Sequence, residues 1–183
     1  AKQSILVTGS AKLDVLRKGG DSLQGRYHYL RLLPLTYREL RMTNSADARS
    51  LFELSGFPEP YFKGTSVFCN RWSRSYRERI VRQEVSTTEQ FLDLGTIEIM
   101  FQRLPEVAGG ILSINSLAED LQVAHKTVSK WIGALERLYA IFRLMPFGPP
   151  KVKAVKKEQK LFFFDWNAVI DEGLRFENFL AVS

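Results

Sequence analysis

Between residues 115 and 142 the chain carries two short amphipathic helical patterns separated by a tight turn, and a basic, proline-containing segment follows. Few folds accommodate that order. Ile111–Ile114 reads as a short strand. Ser116-Leu117-Ala118-Glu119 then has capping-box spacing, in which the Ser hydroxyl accepts from the Glu119 amide and that carboxylate reaches back. Leu117, Ala118 and Leu121 supply the inner face, and Gln122–His125 makes the turn. In the second helix, from Lys126 to Tyr139, Val128, Trp131, Ile132, Leu135 and Leu138 follow the i, i+3, i+4, i+7 spacing of a buried stripe. Thr127, Ser129, Lys130, Gly133 and Arg137 are left for the outer face. Ala140–Phe147 reads as a strand, Gly148-Pro149-Pro150 and the Lys run as a loop, and Lys160–Asp165 as the returning strand. With the helical pattern at Phe91–Leu104 ahead of it, the order helix, strand, helix, turn, helix and two-stranded wing is that of a winged helix.

Upstream the reading is coarser. Ile5-Leu6-Val7-Thr8 is a short apolar run closed by Gly9-Ser10, as in a buried parallel strand, and Tyr27–Leu35 reads as a second strand. Two such strands need further neighbours, expected upstream. Leu35–Met42 starts a helical turn, and Thr43–Asp47 is a polar linker. Ala48–Leu54 is a short helix, Phe57-Pro58-Glu59-Pro60 a turn, Asn70–Val85 a long helix, and Phe91–Leu104 another limited by Pro105. Trp72, Tyr76, Ile80 and Gln83 form one stripe of the long helix, with Val81 and Val85 beside it. The fold class expected is mainly α with small β elements (α+β): a remnant of a parallel α/β sheet that resembles a P-loop sheet, a helical region and a winged helix–turn–helix. The expected divisions are residues 1–42, a helical region at 48–108, the winged helix at 109–167, and residues 168–183 as the start of a further domain.

Composition removes several function classes. No apolar run approaches the roughly 18 residues that would span a bilayer, and no secretory leader pattern opens the chain, so a cytoplasmic location is expected. One cysteine, Cys69, makes neither an intrachain disulfide nor a Cys-rich zinc site, and His28 and His125 lack metal-ligand spacing. No Ser/His/Asp or Cys/His set is supported, and Glu119-Asp120 is placed at a helix start, where acids favour the dipole. The net charge of +6 is unevenly distributed: residues 151–160 hold five Lys and one Glu, and residues 70–84 five Arg and two Glu. Such clusters either bind phosphates or form a solvated face. In a DNA-binding winged helix, Lys126, Thr127, Ser129 and Lys130 would face the bases, and Lys151, Lys153, Lys156, Lys157 and Lys160 would touch phosphates. The start of that helix lacks the Arg, Asn or Gln suited to bidentate base contacts, so backbone binding or a protein interface fits better than sequence reading.

Taken in order, the Ile5–Ser10 strand, Leu23-Gln24-Gly25-Arg26, Leu33-Pro34-Leu35-Thr36-Tyr37-Arg38-Glu39, Ser55-Gly56-Phe57-Pro58-Glu59, the winged helix, Lys160-Leu161-Phe162-Phe163-Phe164-Asp165 and Phe176-Glu177-Asn178-Phe179 resemble prokaryotic AAA-like P-loop ATPases with a C-terminal domain of unknown function. The resemblance implies that Ser10 is a polar sensor residue near the γ-phosphate and that Arg26 senses or stabilises phosphate charge. It implies ATP and Mg²⁺ as cofactors of the intact protein, a missing N-terminal ATPase segment as partner, a DNA or protein partner for the winged helix, and homo-oligomers. The chain departs from the pattern in lacking G-x-x-x-x-G-K-[ST] and the acidic magnesium-ligand strand. No cofactor and no ATP turnover are therefore expected of these 183 residues alone. In the family a nuclease-like fold often follows, and Glu177 stands where its first acid would fall. The alternative to a portion of an AAA-like ATP-binding protein is a freestanding winged-helix DNA-binding protein.

Overall fold

A computed structural model describes residues 5, 6, 8, 28, 30–85, 93–147 and 159–183, with the side chains of residues 83 and 84 outside that description. The chain divides into Ala1–Leu32 and Leu33–Ser183. In the first unit, residues 5, 6, 8, 28 and 30–32 belong to no regular element, and Leu30 and Leu32 are exposed. The strand expected over residues 27–35 is therefore not formed by residues 28 and 30–35. A strand needs a hydrogen-bonded neighbour, and no strand pairs with them among the described residues.

The second unit is mainly helical. Its helices are α1 (Ser45–Leu54), α2 (Pro58–Lys63), α3 (Ser66–Arg79), α4 (Leu94–Arg103), α5 (Ile114–Asp120), α6 (His125–Arg137) and α7 (Glu172–Val182). The strands β1 (Ile141–Leu144) and β2 (Lys160–Phe163) pair antiparallel, with Ile141 opposite Phe163 and Leu144 opposite Lys160. This is the mainly α class with small β elements expected from the sequence. No helix among the described residues is long and apolar enough to cross a membrane.

Several boundaries differ from expectation for local reasons. Phe57–Pro60 is not a turn: Pro58 opens α2, where the missing amide costs nothing and φ is already helical. The long helix is α3 followed by a π-helical stretch, Ile80–Val85, with Ile80, Val81 and Val85 buried. α4 gives way to a 3₁₀ turn, Leu104–Val107, that takes Pro105 near its start. Ile111 makes one bridge to Lys160 instead of a strand. α5 begins three residues earlier than its capping box implied. Ser113, not Ser116, is the cap, accepting from the Ser116 amide at 3.2 Å. Glu119 and Asp120 consequently close α5 instead of opening it, at the end where the dipole disfavours acids.

Both helices of the helix–turn–helix end alike. After α5, the Gln122 amide donates to the Glu119 carbonyl and the Val123 amide to that of Ala118. After α6, the Tyr139 amide donates to Glu136 and the Ala140 amide to Leu135. These are Schellman closures, with Gln122 and Tyr139 at φ near +55° where glycine is usual. The stripe Val128, Trp131, Ile132, Leu135 and Leu138 is buried as its spacing requires.

A second core lies under α1. Leu51, Phe52, Trp166 and Phe179 cluster there, with Leu35, Leu40 and Met42 packed on them. Trp166 is fully buried, and its indole N–H donates to the Phe52 carbonyl at 2.9 Å. Gly56 is required at this contact. A Cβ would stand 2.5 Å from the Trp166 ring and 2.9 Å from the Leu35 carbonyl oxygen. That carbonyl belongs to the residue whose amide donates to Gly56 O at 2.6 Å.

Candidate functional site

α6 carries the residues expected to meet a partner. His125, Lys126, Ser129 and Lys130 are exposed over its first two turns, and Thr127 is half-buried. The structure thus brings Lys126, Thr127, Ser129 and Lys130 together on one helix start. Neither lysine has an ion-pair partner among the described residues. The helix opens at Ala124 with no side-chain cap. α1, α3, α4, α5 and α7 by contrast are capped by Asn44, Thr65, Asp93, Ser113 and Asp171. The Thr127 amide turns back to the Ala124 carbonyl at 2.8 Å, so the His125 and Lys126 amides are the ones left to solvent or a ligand at the positive end of the dipole. The arrangement can hold an anion near two ammonium groups.

The ribbon is held against α6 by a half-buried bidentate pair. Arg143 Nε meets Glu136 Oε1 at 2.7 Å, and its Nη2 meets Oε2 at 2.8 Å. The Glu136 carboxylate raises the Arg143 pKa, partly opposed by desolvation. Lys160, the first residue of β2, is tied at 2.7 Å to Glu177 on α7. Asn178 finishes the outer edge of β2. Its Oδ1 accepts from the Phe163 amide at 2.8 Å and its Nδ2 donates to the Phe163 carbonyl, as a neighbouring strand would. Lys151, Lys153, Lys156 and Lys157 lie outside the described residues, as do Ser10 and Arg26.

One polar cluster was not foreseen. Asp165, just after β2, is buried. Its Oδ1 accepts from the Ser55 hydroxyl at 3.2 Å, and its Oδ2 from the Ser73 hydroxyl. Arg77 Nη1 donates to Ser73 Oγ at 3.3 Å. Burial raises the Asp165 pKa, and Ser73, the Arg77 charge, Ser55 and the Asn167 amide pull it back. The same carboxylate adds to the desolvation that raises the Tyr76 and Cys69 pKa values. The Cys69 thiol donates to the Leu54 carbonyl at 3.1 Å. These contacts knit the end of β2 to the end of α1 and to α3, and leave Asp165 closed to substrate. Among the described residues, no group of three or more His, Cys, Asp and Glu could hold a metal ion.

The fold defines a mainly helical protein with a helix–turn–helix and a short antiparallel ribbon, and comparison places it in a family. Residues 45–167, about two-thirds of the chain, match the family described as Domain of unknown function (DUF8612), and the chain belongs to that family. It is similar to the uncharacterized protein MJ1637 of Methanocaldococcus jannaschii, 28% identical with 87% of this chain and 40% of that protein covered. It is also similar to the uncharacterized protein Rv2008c of Mycobacterium tuberculosis, 23% identical with 87% of this chain and 36% of that protein covered. The chain thus spans well under half the length of these relatives. No solved structure matches it.

Proposed function

We propose that α5, α6 and the β1–β2 ribbon form a winged-helix module that binds the DNA backbone within a longer, cytoplasmic AAA-like ATP-binding protein. The observation that carries the DNA reading is the start of α6: Lys126 and Lys130, without ion-pair partners, beside amides that no side chain caps. Charge and exposed amides attract phosphates whatever the base sequence. The lysines at 151, 153, 156 and 157 extend the same charge along the sequence. Ser10 and Arg26 keep their proposed nucleotide-sensing roles, with ATP and Mg²⁺ held chiefly by a segment upstream. The ordered resemblance to AAA-like ATPases supports that part, and relatives more than twice as long have room for such a segment. Self-association follows from the same resemblance.

Fluorescence anisotropy with a labelled DNA duplex at 50 and 200 mM salt tests the interface. Lys126→Glu with Lys130→Glu is expected to weaken binding and to reduce the slope of log K against log salt by about 2, near 0.9 per lost phosphate contact. Lys156→Glu with Lys157→Glu should weaken binding similarly without unfolding the chain. Unchanged affinity in both pairs would overturn the reading. Nucleotide binding is expected only once the upstream segment is joined, and magnesium-dependent ATP turnover by this chain alone would contradict it.

A further inference from the structure

A separate cleft of about 200 Å³ opens between α3, the π-helical segment and α4. Arg74 and Arg77 line one side. Three residues apart on α3, they fall on one helix face. Val81 and Phe101 provide apolar wall, and Glu78, Glu98 and Gln102 complete the lining. Val81 lies within the π-helical stretch, and such extra-wide turns occur frequently at functional sites.

The charges in the cleft are not equivalent. Glu98 is engaged by Arg82, with Nη2 at 3.3 and 3.4 Å from its two oxygens. Arg74 is exposed and has no ion-pair partner among the described residues. Arg77 is half-buried and is backed by Ser73, which donates in turn to Asp165. Desolvation lowers the Arg77 pKa, the Asp165 charge opposes this, the like charge of Arg74 lowers it further, and the Glu78 carboxylate raises it. Two arginines thus line the same cleft, with a buried carboxylate behind one of them.

We propose that this cleft binds a compact oxyanion, a phosphate group, between Arg74 and Arg77. A single carboxylate is satisfied by one guanidinium fork, whereas a phosphate has enough acceptor oxygens for two. Size limits the remainder. The cleft holds several waters at about 30 Å³ each, and falls below the roughly 300–1,000 Å³ of sites for drug-sized ligands. Inorganic phosphate or a small phosphate ester fits; an intact nucleoside triphosphate does not. Glu78, also in the lining, repels an oxyanion more strongly as its charge grows, which disfavours pyrophosphate relative to phosphate. The proposal is independent of the DNA reading, because no residue of α6 lines the cleft.

Titration calorimetry of the full chain, at ionic strength fixed with chloride, tests it with inorganic phosphate, glycerol phosphate and pyrophosphate. Saturable one-to-one binding is expected for phosphate or glycerol phosphate, with pyrophosphate weaker. Tighter binding of glycerol phosphate would identify an ester as the ligand. Arg74→Gln should weaken binding at least tenfold with an unchanged circular dichroism spectrum, and Lys126→Gln should leave it intact. Phosphorus NMR line broadening provides a second readout if the heats are small. Absence of saturable binding by both methods, equal binding in Arg74→Gln, or loss in Lys126→Gln would each overturn the proposal.

Discussion

The Asp165 region and the face of α6 use charge in opposite ways. Asp165 is buried and surrounded by two hydroxyls, a backbone amide and a nearby guanidinium. Lys126 and Lys130 are exposed and have no ion-pair partner among the described residues. A buried carboxylate costs several kcal/mol unless its surroundings compensate, so its neighbours are fixed by folding. An exposed ammonium costs little to leave alone and remains available to something outside the chain. Under the proposed function the contrast puts stability in one region and recognition in the other, and substitutions can test that division.

The largest loss should come from Trp166→Ala. Trp166 is fully buried, donates to Phe52 and stands edge-on to Phe179 with ring centroids 5.0 Å apart. Removing it should cost about 3–5 kcal/mol in urea unfolding. A loss below about 1 kcal/mol would mean that the core under α1 does not govern stability. Gly56→Ala should follow, at about 1–3 kcal/mol, because the new methyl meets the same indole and a backbone carbonyl that cannot retreat.

Asp165 gives a dependence on pH with a definite sign. Its pKa is raised from the ordinary 3.8, so the folded chain holds the Asp165 proton more tightly than the unfolded chain does. The stabilisation this provides is complete below pH 3.8 and is lost as pH rises through the folded value. Asp165→Asn removes the titrating group while keeping a similar shape. The stability of the variant relative to the parent should therefore increase as pH rises above 3.8, by at most about 1.4 kcal/mol per pH unit. A difference that stays flat between pH 4 and 8 would show that the carboxylate is not desolvated as its burial indicates.

How much of this was legible in the sequence follows from the range of the interactions. The α6 stripe was legible because Val128 to Leu138 repeat a local period that packing then obeys. The start of α5 was misplaced because Ser113 and Ser116 both offer a cap three residues before another residue, and Ile114 reads equally well as strand or first helical turn. α2 was hidden by its two prolines, which signal a turn unless one of them occupies the first helical position. The Asp165 cluster had no local signal. Ser55 and Ser73 lie 110 and 92 residues from Asp165 in sequence, and no periodicity records a contact at that distance. The exposed lysines of α6 were legible as a class, since they are what the apolar stripe leaves over. The missing cap at Ala124 became clear only once the first residue of α6 was known.

The smallest effect tests the seam between recognition and stability. Lys160 belongs to the ribbon and was expected to contact phosphate, yet its ammonium meets Glu177 of α7 at 2.7 Å. Both side chains are nearly half exposed, 49% and 42%, so water and salt screen the pair. A double-mutant cycle on Lys160→Ala and Glu177→Ala should give a coupling of about 0–1 kcal/mol that shrinks in high salt. Glu177→Gln then separates the two uses of Lys160. Removing the carboxylate charge leaves the ammonium without its partner and should strengthen DNA binding at low salt if Lys160 belongs to the recognition face. An unchanged affinity, with the same small loss of stability, would place Lys160 with the contacts that hold the chain together and move the boundary of the recognition surface back to α6.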